Sequence, residues 1–193
     1  MALFRTIFAA AVTAAVLPTC AVAQERFVRE TGELGKYPYG YVRLCQAHSE
    51  QCRAVPRTRV SRAWSRKIGL LNAEVNARIR PVAEPRGSDE WRFDVSEGDC
   101  EDFALTKRME LWRLGVPWSA MAIAFVDSAS TGKHAVLLVM TDGGDLVLDN
   151  LTDEVLVPGA TQYEWISVAY TDRPLNWVSV YQPRQRTAMD ATK

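Results

Sequence analysis

The apolar period changes once along this chain, at Leu114-Gly115-Val116-Pro117, and that change limits the folds open to it. Upstream, Trp64, Ile68, Leu71, Val75 and Ile79 recur at spacings of four, three, four and four. That is one stripe of an amphipathic helix over 61–80, which Pro81 ends. A second helix should start near Cys100, where Asp99, Glu101 and Asp102 crowd a first turn that favours acids. It runs through Phe103, Leu105, Met109, Leu111 and Trp112 with apolar residues on more than one face, so it should be largely buried. Downstream the pattern becomes short branched runs over 121–126, 134–140 and 146–151, then around 165–170 and 177–181. Helices first and closely spaced strands afterwards predict an α+β domain, a helical N-terminal part packed on an antiparallel sheet. Residues 24–59 read as irregular, 81–91 as a polar connection and 183–193 as a flexible tail.

The first residues read as an address. Arg5 precedes an apolar, alanine-rich run, and Ala21-Val22-Ala23 has the small-x-small form of a signal-peptidase site. Pro18 interrupts the run before the length of about 20 residues that a spanning helix needs. Pro18 and Thr19 are poor neighbours for lipid attachment at Cys20. We expect cleavage after Ala23 and a soluble periplasmic or secreted domain over 24–182, a monomer or weak dimer. The whole chain carries 23 Lys and Arg against 23 Asp and Glu, and the leader removes a single arginine. So even a balance gives no footprint for nucleic acid or an anionic membrane.

Export favours disulfides. Cys45 and Cys52 lie seven apart in a turn-like stretch and can bridge locally, which leaves Cys100 odd. An unpaired thiol in an oxidising compartment is buried or used. The chain has two histidines. His48 sits inside the Cys45–Cys52 loop, where a solvated role suffices, whereas His134 heads a strand. If nucleophile–base chemistry operates, the base is His134. A helix start and a neighbouring imidazolium would each favour the Cys100 thiolate, and a carboxylate behind the ring would fix its tautomer. A two-residue turn at Gly143-Gly144 would set His134 opposite Asp153. For Asp149 to face His134 the loop must be wider or bulged. Both aspartates share one strand face, so Asp149 is the first choice and Asp153 the reserve. One free cysteine and two histidines give no close ligand pair for zinc.

The stretch Gly98-Asp99-Cys100-Glu101-Asp102-Phe103-Ala104, then Lys107 and Leu114-Gly115-Val116-Pro117, resembles the bacterial transglutaminase-like cysteine peptidase family, with its LapG-type periplasmic proteases. His134 with its strand, and Leu148-Asp149-Asn150-Leu151, match that family's His and Asp motifs in order. The resemblance covers roughly residues 60–181. It implies a papain-like, transglutaminase-like fold with Cys100, His134 and Asp149 as a triad. It further implies a protein substrate such as a surface adhesin, and inhibition by an inner-membrane cyclic-di-GMP receptor. Family members also bind calcium through acids flanking the nucleophile, and Asp99, Glu101 and Asp102 match those positions. Three carboxylates beside Cys100 would oppose thiolate formation, and a hard cation with oxygen ligands would cancel that charge.

An oxyanion hole could use the Cys100 N–H, with Trp91 or Asn76 as second donor. The leading expectation is therefore an exported cysteine endopeptidase. Transglutaminase-type acyl transfer on the same triad, or a non-catalytic, calcium-stabilised binding module, are the alternatives.

Overall fold

The computed structural model describes residues 26–85 and 87–181. The expected leader over 1–23 and the expected flexible tail over 183–193 lie outside the described residues. Among the described residues, three α-helices and eight strands follow one another as β1 (Arg29–Leu34), α1 (Tyr39–Ala47), α2 (Ser65–Arg78), β2 (Arg80–Pro81), β3 (Glu97–Gly98), α3 (Cys100–Arg113), β4 (Met121–Ser128), β5 (Gly132–Thr141), β6 (Gly144–Leu148), β7 (Glu164–Ala169) and β8 (Val178–Tyr181).

The sequence stripe becomes the buried face of α2: Ile68, Leu71, Val75 and, just past its end, Ile79 are covered. The helix is shorter than the stripe. A 3₁₀ turn over Arg62–Trp64 precedes it, and Ile79 is already extended. Pro81 disfavours a helical Arg80, so this pair forms β2, parallel to β3 just ahead of Cys100. Helix α3 is covered without a break from Asp102 to Met109, as expected for a helix apolar on several faces.

Six strands form an antiparallel sheet in the order β1-β8-β7-β4-β5-β6. Alternation along the strands divides its apolar residues between two clusters. Met121, Ile123, Leu137, Val139 and Leu148 join the core that contains the helix residues. Ala122, Ala124, Val136, Leu138 and Val147 form a second cluster on the opposite face, against which Val28 packs. The segment leading into β1 ties the two sheet edges together. The Asp145 N–H of β6 donates to the Arg26 carbonyl, and the Val28 N–H donates to the Asp145 carboxylate. One residue later Arg29 pairs with Tyr181 of β8. The sheet therefore curls around the second cluster.

Two expectations need correction. Residues 24–59 are not irregular, since they contain β1 and α1. Strand β1 is largely exposed and is held by main-chain pairing to β8, so it carries no apolar alternation. Helix α1 lacks a side-chain cap and has Gly40 in its first turn. A Cβ there would lie 2.4 Å from the Asp89 carbonyl oxygen and from the Trp91 ring. The β5–β6 turn is also tighter than the wide or bulged loop expected. Thr141 pairs with Gly144, so Asp142-Gly143 forms the turn, and Thr141 Oγ1 donates to the Gly144 carbonyl (2.6 Å). Among the described residues no helix is long and apolar enough to cross a membrane.

Candidate active site

Strand β3 and the N-terminus of α3 deliver Cys100. Gly98 is needed there because a Cβ would fall 2.2 Å from Asp102 Oδ2. That carboxylate is fully buried; it accepts the Arg92 N–H (2.8 Å) and one guanidinium nitrogen (2.9 Å). Asp102 thus braces the turn leading into α3. Cys100, half-buried, is the one free cysteine among the described residues, and Cys45–Cys52 is a disulfide.

Strand β5 brings His134, and the chain leaving β6 brings Asp149. Continuing the hairpin register would put Leu151 opposite His134. Asp149 is thus the diagonal neighbour on the same face, within side-chain reach. The Asp149 Oδ1 to His134 Nε2 distance is 2.8 Å, and both side chains are buried. Asp149 Oδ1 also accepts the Leu151 N–H (3.0 Å), and Oδ2 accepts the Tyr163 hydroxyl. Burial pushes the Asp149 carboxyl up, but hydrogen bonds from His134, Tyr163 and Leu151 outweigh it and hold the group below the usual carboxylate range. In the neutral imidazole, an ionised Asp149 makes Nε2 the donor and leaves Nδ1 with the free lone pair.

The thiol lies against the same strand, since the Ala135 N–H donates to Cys100 Sγ (3.4 Å). Its own proton points at Glu101 Oε2 (2.8 Å). Burial raises the thiol pKa first; the charge and acceptor oxygen of Glu101 raise it further, and Ala135 works against them. Burial, then repulsion from Glu101, Asp102 and Glu84, lifts Asp99 to about 7. Burial lifts Asp102 to about 6 against the pull of Arg92. Asp99 Oδ1 is buried without a hydrogen-bond partner. Among the described residues no group of three or more His, Cys, Asp or Glu side chains is arranged to hold a metal ion. The donor chemistry nevertheless fits a hard cation: Asp99 has an orphaned oxygen, Glu101 is beside it, and Asp102 is shared with Arg92.

Neither side chain considered for the oxyanion hole is free. Trp91 Nε1 donates to Asp89 (2.8 Å) inside an aromatic cluster with Tyr41, Phe125 and Trp177. Asn76 Nδ2 donates to the Asp149 carbonyl (2.9 Å), the Thr152 carbonyl (3.0 Å) and Asp153 Oδ1 (2.9 Å). Asp153, the reserve carboxylate, is thus tied to α2. His48 stays at the surface beside Glu50 and Phe93. Sequence reasoning missed Arg92 and Tyr163, which stand in no motif, and the main-chain N–H of Ala135 beside His134. It also left Lys107 without a role. That side chain is fully buried, its Nζ has no hydrogen-bond partner, and burial lowers its pKa to about 7 against the opposing pull of Asp149 and Asp153.

A helix-borne thiol beside a strand-borne His, with an Asp just past the next strand of an antiparallel sheet, defines a transglutaminase-like α+β protein. Residues 31–185 match the family model of the bacterial transglutaminase-like cysteine proteinases, and the chain belongs to that family of cysteine peptidases. Among solved structures it resembles calcium-bound LapG of Legionella pneumophila, with 20% identity and a TM-score of 0.53, covering 79% of this chain and 86% of that one. An EGTA-treated form of the same protein matches at 20% identity and a TM-score of 0.49, covering 77% and 81%. At such identity the likeness is one of fold. No curated protein sequence matches the chain.

Proposed function

We propose that this protein is an exported cysteine endopeptidase in which Cys100 is the nucleophile, His134 the general base and Asp149 its orienting carboxylate. The observation that carries the reading is the buried 2.8 Å His134–Asp149 contact next to the one free thiol among the described residues. With Nε2 engaged by Asp149, Nδ1 is the nitrogen left to take the thiol proton. The thiolate adds to a peptide carbonyl, and the Cys100 N–H at the start of α3 faces the developing oxyanion. The imidazolium returns the proton to the leaving amine, the C–N bond breaks, and water activated by His134 hydrolyses the thioester.

Asp99, Glu101 and Asp102 would hold a calcium ion, whose chemistry here is to cancel negative charge that opposes the thiolate. The support is the orphaned Asp99 oxygen and the mutual repulsion of these acids. The calcium-bound LapG structure is consistent with this. Calorimetry should detect calcium binding and chelator should lower both the melting temperature and activity; no heat and no shift would remove the site.

The proposed substrate is a protein at the cell surface, an adhesin in particular, and the proposed regulator an inner-membrane cyclic-di-GMP receptor. Cell-surface proteomics of wild type against Cys100→Ala tests this. A surface protein released only when Cys100 is present names the substrate, whereas identical surface proteomes reject the endopeptidase reading. Mass analysis with added amine separates hydrolysis from acyl transfer.

A further inference from the structure

Tyr163 lies in the loop just before β7, away from every motif that brings the thiol, imidazole and carboxylate together. Its hydroxyl donates to Asp149 Oδ2, the oxygen that His134 does not use. Its ring centroid is 5.8 Å from that of His134, tilted by 58°. The ring also packs against the cluster inside the curled sheet. Tyr163 therefore touches both members of the buried pair at once. Burial and then the Asp149 carboxylate raise its pKa, so the proton stays on the phenol and the group remains a donor.

A buried carboxylate with one bound oxygen can still rotate about its terminal bond, which is a soft torsion. The Leu151 N–H and His134 Nε2 both address Oδ1. The Asn76 amide fixes only the main-chain carbonyl of Asp149. The Tyr163 hydroxyl is thus the contact that stops rotation of Asp149 by fixing its second oxygen. Removing it would leave a buried anionic oxygen unpaired, which is destabilising for the ionised form.

Resting on the catalytic reading above, we propose that Tyr163 is a positioning residue. It locks the Asp149 carboxylate so that His134 keeps its Nε2–H tautomer and offers Nδ1 to the thiol. Its ring shields the His134–Asp149 hydrogen bond from water.

The test needs no substrate. Alkylation of Cys100 by iodoacetamide is followed against pH by peptide mass mapping, in the full chain and in Tyr163→Phe, His134→Ala and Asp149→Ala. The ¹⁵N resonances of the two histidines are read in parallel. For Tyr163→Phe we expect alkylation at pH 7 to slow about tenfold, the size of one hydrogen bond to a charged group. The inflection of the pH profile should move, and the Nε2–H tautomer of His134 should lose population. A merely structural tyrosine would lower the melting temperature and leave profile and tautomer unchanged, which overturns the proposal. If His134→Ala and Asp149→Ala alkylate like wild type, the catalytic reading itself fails, a result distinguishable from failure of Tyr163 alone. Should Tyr163→Phe not fold, the wild-type protein decides. A slowly exchanging Tyr163 hydroxyl proton with a contact to His134 supports the lock, and a freely exchanging one rejects it.

Discussion

At Cys100 two neighbours pull the thiol in opposite senses: Glu101 takes the S–H as a hydrogen bond, and Ala135 offers an N–H to the sulfur. The thiolate therefore depends on what neutralises Glu101. Glu101→Gln should raise the rate of Cys100 alkylation at neutral pH in the presence of chelator; a slower or unchanged rate would mean that Glu101 is not what restrains the thiol. Asp149→Asn keeps the size of the side chain but confronts the Leu151 and Tyr163 donors with an amide. Turnover should fall about 10³- to 10⁴-fold, the scale of tautomer loss in a triad, measured as kcat/KM on a cleaved peptide. Gly98→Ala sets a methyl group against the Asp102 carboxylate. Overpacking of this kind is destabilising by about 1–3 kcal/mol, and denaturant unfolding should register it.

Helix α3 starts in an acidic collar, and the collar gives the element its pH dependence. Asp99, at about 7, and Asp102, at about 6, both lie above the ordinary value of 3.8. The folded chain then holds protons that the unfolded chain has released. Their contribution is fully present below about pH 4 and is lost as pH rises through 6 and 7. Asp94 and Asp149 are lowered, so their contribution runs the other way and is lost as pH falls below about 4. In chelator the melting temperature should therefore decline from pH 5 to pH 7, and calcium should abolish the decline. A flat profile without metal would refute the repulsive collar. Helix α1 is joined to the turn over Ser49–Cys52 by the Cys45–Cys52 disulfide. Gln51 in that turn accepts a hydrogen bond from the buried Arg108 (2.9 Å). Reduction should destabilise by about 2–3 kcal/mol on a loop-entropy basis, read as a lower melting temperature in dithiothreitol.

For the molecule as a whole, closure of the curled sheet rests on Asp145. Its buried carboxylate takes the Val28 N–H (3.0 Å) and an Arg59 nitrogen (2.8 Å), and its own N–H binds the Arg26 carbonyl. Asp145→Ala strands the Val28 N–H and leaves the half-exposed Arg59 with the Thr141 carbonyl and the Phe27 ring as its remaining contacts. The expected loss is about 1–3 kcal/mol in chemical denaturation, with Cys100 alkylation in the folded variant unchanged. A large loss of alkylation would mean that the joined edges also set the geometry of His134.

The apolar period by itself determined α2, α3 and the five strands from β4 onward, because each buries a face against the core. The counts of free thiols and histidines singled out Cys100 and His134, and the motif around each named the family. Strand β1 and helix α1 stayed hidden because main-chain pairing and close approach to Trp91 leave no periodic trace. That Asp149 and not Asp153 contacts the His134 ring is visible only in three dimensions. The Asp142-Gly143 turn makes Asp149 the diagonal neighbour of His134, while Asn76 on α2 holds Asp153 away. Tyr163, Arg92 and the Ala135 N–H are likewise tertiary facts: each meets the site through contacts between segments far apart in the chain, which spacing along a sequence does not encode.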